Sequence, residues 1–109
     1  MDVKSREEII KFAQKLNSTN LSPLRSGNIS LKAQNNNEEG FLITPSGKKY
    51  DSLIADDIVF VSLEGRYDEK GLQPSSEWRF HKDIYLKKAD AKAVVHAHSP
   101  HATAVSAHN

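Results

Sequence analysis

His96 and His98 stand two apart in Ala93-Val94-Val95-His96-Ala97-His98, a run whose apolar, β-branched start predicts a buried strand. Residues i and i+2 of a strand face the same way, so both imidazoles can converge on one metal ion. Imidazole suits Zn²⁺, and a catalytic zinc site commonly combines three protein ligands with an open position for water or substrate. H-x-H is a short pattern, however, and polar residues at a strand end account for it more simply without a metal.

A second cluster is Pro74-Ser75-Ser76-Glu77. Two hydroxyls and the first free amides of a predicted helix meet there, a place to receive a phosphate; plain helix capping explains the same residues. Glu77 in the first helical turn suits the helix dipole. Beside a metal, its carboxylate could also move a proton at a carbon next to a polarised carbonyl. Ser26-Gly27-Asn28 and Thr44-Pro45-Ser46-Gly47 are small, amide-rich turns that can present N–H groups to an anion or be ordinary turns. His81 on the second predicted helix, and His101 and His108 on the last, read as surface or packing histidines, and Trp78 and Phe80 as core between helix and sheet.

These residues need elements to hold them. Ser5-Arg6-Glu7-Glu8 has the capping-box form and predicts a helix of about three turns starting at Ser5. Ile9, Ile10, Ala13 and Leu16 form its buried side, with Lys4, Arg6, Glu7, Lys11 and Lys15 on the other. Asn17 to Asn20 and Ser22-Pro23 end it. Alternation from Ile29 to Lys32 predicts a strand, Gln34 to Gly40 a polar turn, and Phe41 to Thr44 the returning partner. Asp51 to Asp57 reads as a short helical turn and Ile58 to Ser62 as the best strand. Glu64-Gly65 and Lys70-Gly71 suggest a second hairpin-like excursion. A second helix opens at Pro74-Ser75-Ser76 and closes at Lys87-Lys88, the strand Ala93 to His98 follows, and Ser99-Pro100 predicts a final helix still in progress at Asn109, as in a fragment.

Composition narrows the function classes. One domain, residues 1–109, is all that 109 residues allow. Fifteen basic and fourteen acidic residues are interspersed to a net charge of +1, which offers no basic face to nucleic acid. The longest apolar stretch, around Ile58 to Val61, is far below the ~18 residues of a membrane span, and the N-terminus has no signal-peptide core, so a cytoplasmic protein is expected. The absence of cysteine excludes thiolate metal sites and leaves histidine and carboxylate ones.

Gly27-Asn28-Ile29-Ser30, Ile43-Thr44-Pro45-Ser46-Gly47, Asp57-Ile58-Val59, Pro74-Ser75-Ser76-Glu77 and His96-Ala97-His98 occur in the order seen in the class II aldolase/adducin family. The sequence resembles the N-terminal half of that family from about Arg6 onward, most specifically in S-S-E followed nineteen positions later by H-x-H. The resemblance implies an α/β fold in which a central, mostly antiparallel sheet is flanked by helices on both faces. It implies His96 and His98 as zinc ligands and Glu77 as catalytic acid/base, also able to approach the metal. Asn28, Ser46, Gly47, Ser75 and Ser76 would hold the substrate phosphate. The implied activity is a Zn²⁺-dependent sugar-phosphate aldolase of carbohydrate metabolism, a lyase in which the metal stabilises an enediolate without a Schiff-base lysine, in a homotetramer. Dehydratases, decarboxylases, 4-epimerases and the noncatalytic adducin heads share the scaffold. The epimerases carry Asp where this chain has Glu77, and the adducin heads lose zinc ligands that are kept here. The family's third zinc-binding histidine falls beyond Asn109, so the isolated chain is expected to be inactive.

Overall fold

Helical spacing of apolar residues sets the first element. In the computed structural model, which describes residues 3–18, 28–96 and 102–106, helix α1 spans Val3–Ser18 and fully buries Ile9 and Ala13, one turn apart. It begins ahead of the Ser5 capping box, because Val3 and Lys4 contain no helix breaker and extending a formed helix is far easier than nucleating one. Arg6, expected on the solvent side, turns inward instead. Its Nη1 donates to the carbonyls of Ala55 at 2.9 Å and Ile58 at 2.6 Å, tying α1 to a 3₁₀ turn, Ala55–Asp57. This turn and another at Tyr50–Ser52 occupy the predicted helical stretch.

Strands β1, Asn28–Asn35, and β2, Glu38–Ile43, form a hairpin much tighter than the polar turn predicted from Gln34 to Gly40. Two asparagines close it, Asn36 and Asn37, with φ of 53° and 68°. Paired positive φ values are what a two-residue type I′ turn requires, and asparagine tolerates them better than most residues. Strand β3, Val59–Ser62, adds to β2. Helix α2 follows at Trp78–Lys87, and β4, Ala91–His96, pairs with β1. Between β3 and α2 the predicted second hairpin is an irregular loop. The backbone amide of Ser62 donates to Arg66 O at 2.9 Å and that of Arg66 to Ser62 Oγ at 3.0 Å, so the chain turns back without forming strands.

The final helix expected from Pro100 is corrected by β5, Ala102–Ser106, which pairs antiparallel with β4. Thr103 and Val105 are β-branched, and the open edge of β4 offers them a ladder of backbone hydrogen bonds that outweighs the Ser-Pro signal. The sheet is wholly antiparallel in the order β3-β2-β1-β4-β5. One buried cluster joins Ile9 and Ala13 of α1 to Ile29 and Leu42. Another joins Tyr85 of α2 to Phe41, Ile43, Val61 and Val94.

Gly40 holds β2 and β3 in register. A Cβ there would lie 2.2 Å from the Val61 carbonyl oxygen and 2.6 Å from Phe60 Cζ. We expect Gly40→Val to lower stability by about 3 kcal/mol or more through forced strand separation. A urea midpoint equal to that of the unaltered chain would show that the strands tolerate the side chain.

Candidate active site

Two periodicities meet at the site. Alternate residues of a strand share a face, so Asn28 and Ser30 of β1 point the same way; residues four apart on a helix share a side, which aligns His81 with Tyr85 on α2. Glu77, the N-cap of α2, precedes His81 by one turn. Asn28 pairs with His96 across the β1–β4 ladder and Ser30 with Val94, so this face of the sheet carries Asn28, Ser30, Val94 and His96 beneath the helix. His81 is fully buried. Its Nε2 hydrogen-bonds with Asn28 Oδ1, its Nδ1 lies 2.7 Å from Ser30 Oγ, and that oxygen lies 2.8 Å from the Tyr85 hydroxyl. Phe41 stacks on both rings, with centroids 6.4 Å from His81 and 5.3 Å from Tyr85.

At the outer end of this line, Glu77 Oε1 lies 3.8 Å from His96 Nδ1. Glu77 is the N-cap rather than a first-turn residue, and its carboxylate makes no capping hydrogen bond, which leaves it available to the site. Phe80, expected in the core, is instead 40% exposed and sets its ring centroid 5.5 Å from that of His96. Trp78, half-buried, packs edge-on against Tyr67.

The proposed anion turns are joined to each other. Pro45 and Pro74 form an isolated antiparallel bridge, Ser46 N donates to Gln73 O at 3.0 Å, and Ser75 N donates to Thr44 O at 2.9 Å. Ser75 is buried. Its Oγ accepts from Glu77 N at 3.2 Å and its carbonyl from Trp78 N at 3.0 Å. The two serines therefore differ in what they can do: Ser75 builds the turn, while the exposed Ser76 keeps amide and hydroxyl without a protein partner among the described residues. Gly47 is exposed, with φ of +75°, a left-handed conformation that favours glycine.

His96 Nδ1 is buried and has no hydrogen-bond partner among the described residues. A buried imidazole nitrogen left unpaired is costly, and a cation shared with the neighbouring carboxylate would answer it. Nitrogen and oxygen donors of this kind fit Zn²⁺. His98 lies outside the described residues, as do His101 and His108; no group of three potential ligands forms among those described.

The buried histidine at the centre of this arrangement is the residue that sequence reasoning left aside. The signal was available in Glu77, His81 and Tyr85, one per helical turn, and in two polar residues at alternate positions of an otherwise apolar strand.

The chain belongs to the Class II Aldolase and Adducin N-terminal domain family, which it matches over residues 7–109. It is 42% identical over 103 residues to L-fuculose phosphate aldolase of Escherichia coli strain K12, covering 94% of this chain and 46% of that protein. A 5-methylthioribulose-1-phosphate/5-deoxyribulose-1-phosphate aldolase of Rhodospirillum rubrum is 40% identical over 101 residues, covering 93% of this chain and 43% of that one. A solved L-fuculose 1-phosphate aldolase superposes with a TM-score of 0.80 at 32% identity, over 92% of this chain and 46% of its own. The chain spans about half the length of these relatives. Among the described residues no helix is long and apolar enough to cross a membrane.

Burial, aided by the nearby His96, lowers the His81 pKa from 6.5 to about 3. Between those values the unfolded chain binds a proton that the folded one refuses. The stability owed to the neutral buried ring is therefore complete above about pH 6.5 and is lost as pH falls, at up to ~1.4 kcal/mol per pH unit. Urea unfolding at pH 7 and pH 5 should differ by about 2 kcal/mol from this group. Equal stability at the two values would show that His81 is not held neutral.

Proposed function

We propose that this chain forms the phosphate-holding and proton-transferring part of a metal-dependent sugar-phosphate aldolase that cleaves a ketose 1-phosphate. The observation that carries this reading is the approach of the Glu77 carboxylate to the buried His96 nitrogen, which has no hydrogen-bond partner among the described residues, directly across from Asn28. The substrate class follows the relatives' names, which specify 1-phosphates of fuculose, methylthioribulose and deoxyribulose.

His96, His98 and, at closer approach, Glu77 would hold Zn²⁺, which supplies Lewis-acid stabilisation of negative charge on substrate oxygens. Ser76 offers its free amide and hydroxyl to the phosphate. Ser46, Gly47 and Ser75 shape the adjoining turn, and Asn28 contributes from below. Glu77 moves a proton between the two fragments: as a carboxylate it accepts from the hydroxyl on the carbon that leaves as the aldehyde when the carbon–carbon bond breaks, and as a carboxylic acid it returns that proton to carbon on the fragment that keeps the phosphate. Its position at the mouth of the site, free of capping duty, suits both steps. The alternation of Leu42 with Phe41 and Ile43 between the two buried clusters supports helices on both faces of the sheet. A cytoplasmic homotetramer completes the reading by family resemblance.

Aldehyde release from a panel of ketose 1-phosphates by the whole zinc-loaded protein tests the proposal. Glu77→Gln should lower kcat about 10²- to 10⁴-fold while zinc content is retained. His96→Ala should lose metal and turnover together. Full kcat in Glu77→Gln would remove the carboxylate from the reaction, and unchanged zinc content in His96→Ala would remove that imidazole from the metal.

A further inference from the structure

The hydrogen-bonded line Tyr85, Ser30, His81, Asn28 has one direction that uses every proton. Asn28 Oδ1, which faces His81 Nε2, is only an acceptor, so Nε2 carries hydrogen. A neutral imidazole then has a bare Nδ1, which accepts from the Ser30 hydroxyl 2.7 Å away. Ser30, its single proton given to His81, accepts from Tyr85 at 2.8 Å. The opposite direction requires the Asn28 amide to be turned over and makes Ser30 accept from His81; Ser30 then either donates to Tyr85, which strips the buried phenol of its Ser30 acceptor, or accepts from Tyr85 as well and leaves its own proton outside the line. Burial holds that phenol protonated, its pKa raised well above the usual value, so its proton needs an acceptor. With Oδ1 fixed inward, the Asn28 side chain has one way to face: its NH₂ group is left for the rim where His96 and Glu77 lie.

We propose that His81 is a positioning residue that fixes the orientation of the Asn28 carboxamide, so that Asn28 offers only N–H donors to an anionic oxygen of the substrate. An asparagine without that partner can turn its carbonyl oxygen toward the anion and repel it. The relay removes that choice in advance, and Phe41, stacked on His81 and Tyr85, holds the rings in place. This inference rests on the reading of Asn28 as an anion ligand; the tautomer of His81 does not.

Long-range ¹H–¹⁵N correlation spectra of the uniformly labelled full chain at pH 7 read the tautomer directly. We expect Nε2–H with a bare Nδ1; an Nδ1–H tautomer or an imidazolium would overturn the relay. Inorganic phosphate is then titrated while the Asn28 side-chain NH₂ and the Ser76 amide are followed. Both should shift. His81→Phe keeps the stacked ring but not the donor and should raise the phosphate dissociation constant about tenfold, and His81→Gln, whose amide reaches a similar point, should recover most of it. A purely space-filling role for His81 predicts the reverse order, with Phe the better substitute. Phosphate affinity unchanged in His81→Phe defeats the positioning role. A shift at Ser76 with none at Asn28 overturns this proposal alone, whereas no shift at either defeats the phosphate site of the proposed function as well. Should His81→Phe fail to fold, the tautomer and the Asn28 response in the unaltered chain still decide the matter.

Discussion

The contact on which the site depends is the polar seating of α2 on β1, set beside the apolar packing of α2 on the rest of the sheet. His81 and Tyr85, one helical turn apart, descend onto Asn28 and Ser30, two strand residues apart. The rise of a helical turn, about 5.4 Å, and of two strand residues, about 6.6 Å, are close enough for two successive pairs to meet. Helix position and strand position are thereby set together. A helix registered in this way places Glu77, a further turn along, against His96 on the neighbouring strand. An apolar seam could slide or rotate by fractions of a turn at modest cost, but a buried hydrogen-bond line loses whole partners when it slips.

That line is uncharged, and this matters for its stability. A buried ion pair would have to recover the desolvation of two charges. Here the imidazole is neutral, the phenol keeps its proton, and the serine and carboxamide complete the pairing, so the cost of burial is met by hydrogen bonds alone. The interior of the domain is closed at this point, with Phe41 filling the space beside the rings. Beyond Asn28 the polarity changes character: the next groups, His96 Nδ1 and the Glu77 carboxylate, face one another at 3.8 Å without a bond. Satisfaction on the inner side and incompleteness on the outer side mark where scaffold gives way to site.

Much of this was legible in the residues, and the exceptions have definite physical causes. The alternation in Ile29 to Lys32 and the apolar Ile58 to Ser62 announced strands that the sheet contains. The turn at Asn36-Asn37 was overdrawn because polar side chains in Gln34 and Glu38 look like loop residues, although strands exposed on one side accept them readily. Ser99-Pro100 suggested a helix, and local signals could not reveal that β4 had an edge in need of a partner. His81 was passed over for a related reason. A lone histidine in a helix carries no meaning until the strand beneath it is known, and pairing between α2 and β1 spans more than fifty residues of sequence.

The same separation of duties recurs at the serine turn. Ser75 and Ser76 are chemically identical neighbours, yet the bridge between Pro45 and Pro74 directs one inward and leaves the other outside. Ser75 spends its amide on Thr44, its carbonyl on Trp78 and its hydroxyl oxygen on Glu77. Those three bonds fix the start of α2, hence the location of Glu77, before any ligand arrives. An anion held at Ser76, as the proposed function has it, would leave the helix that carries the carboxylate unaltered. On the proposed reading, preorganisation in this domain comes from giving neighbouring side chains different partners: Ser75 and His81 are consumed by structure, which leaves Ser76 and Asn28 to present donors to the anion.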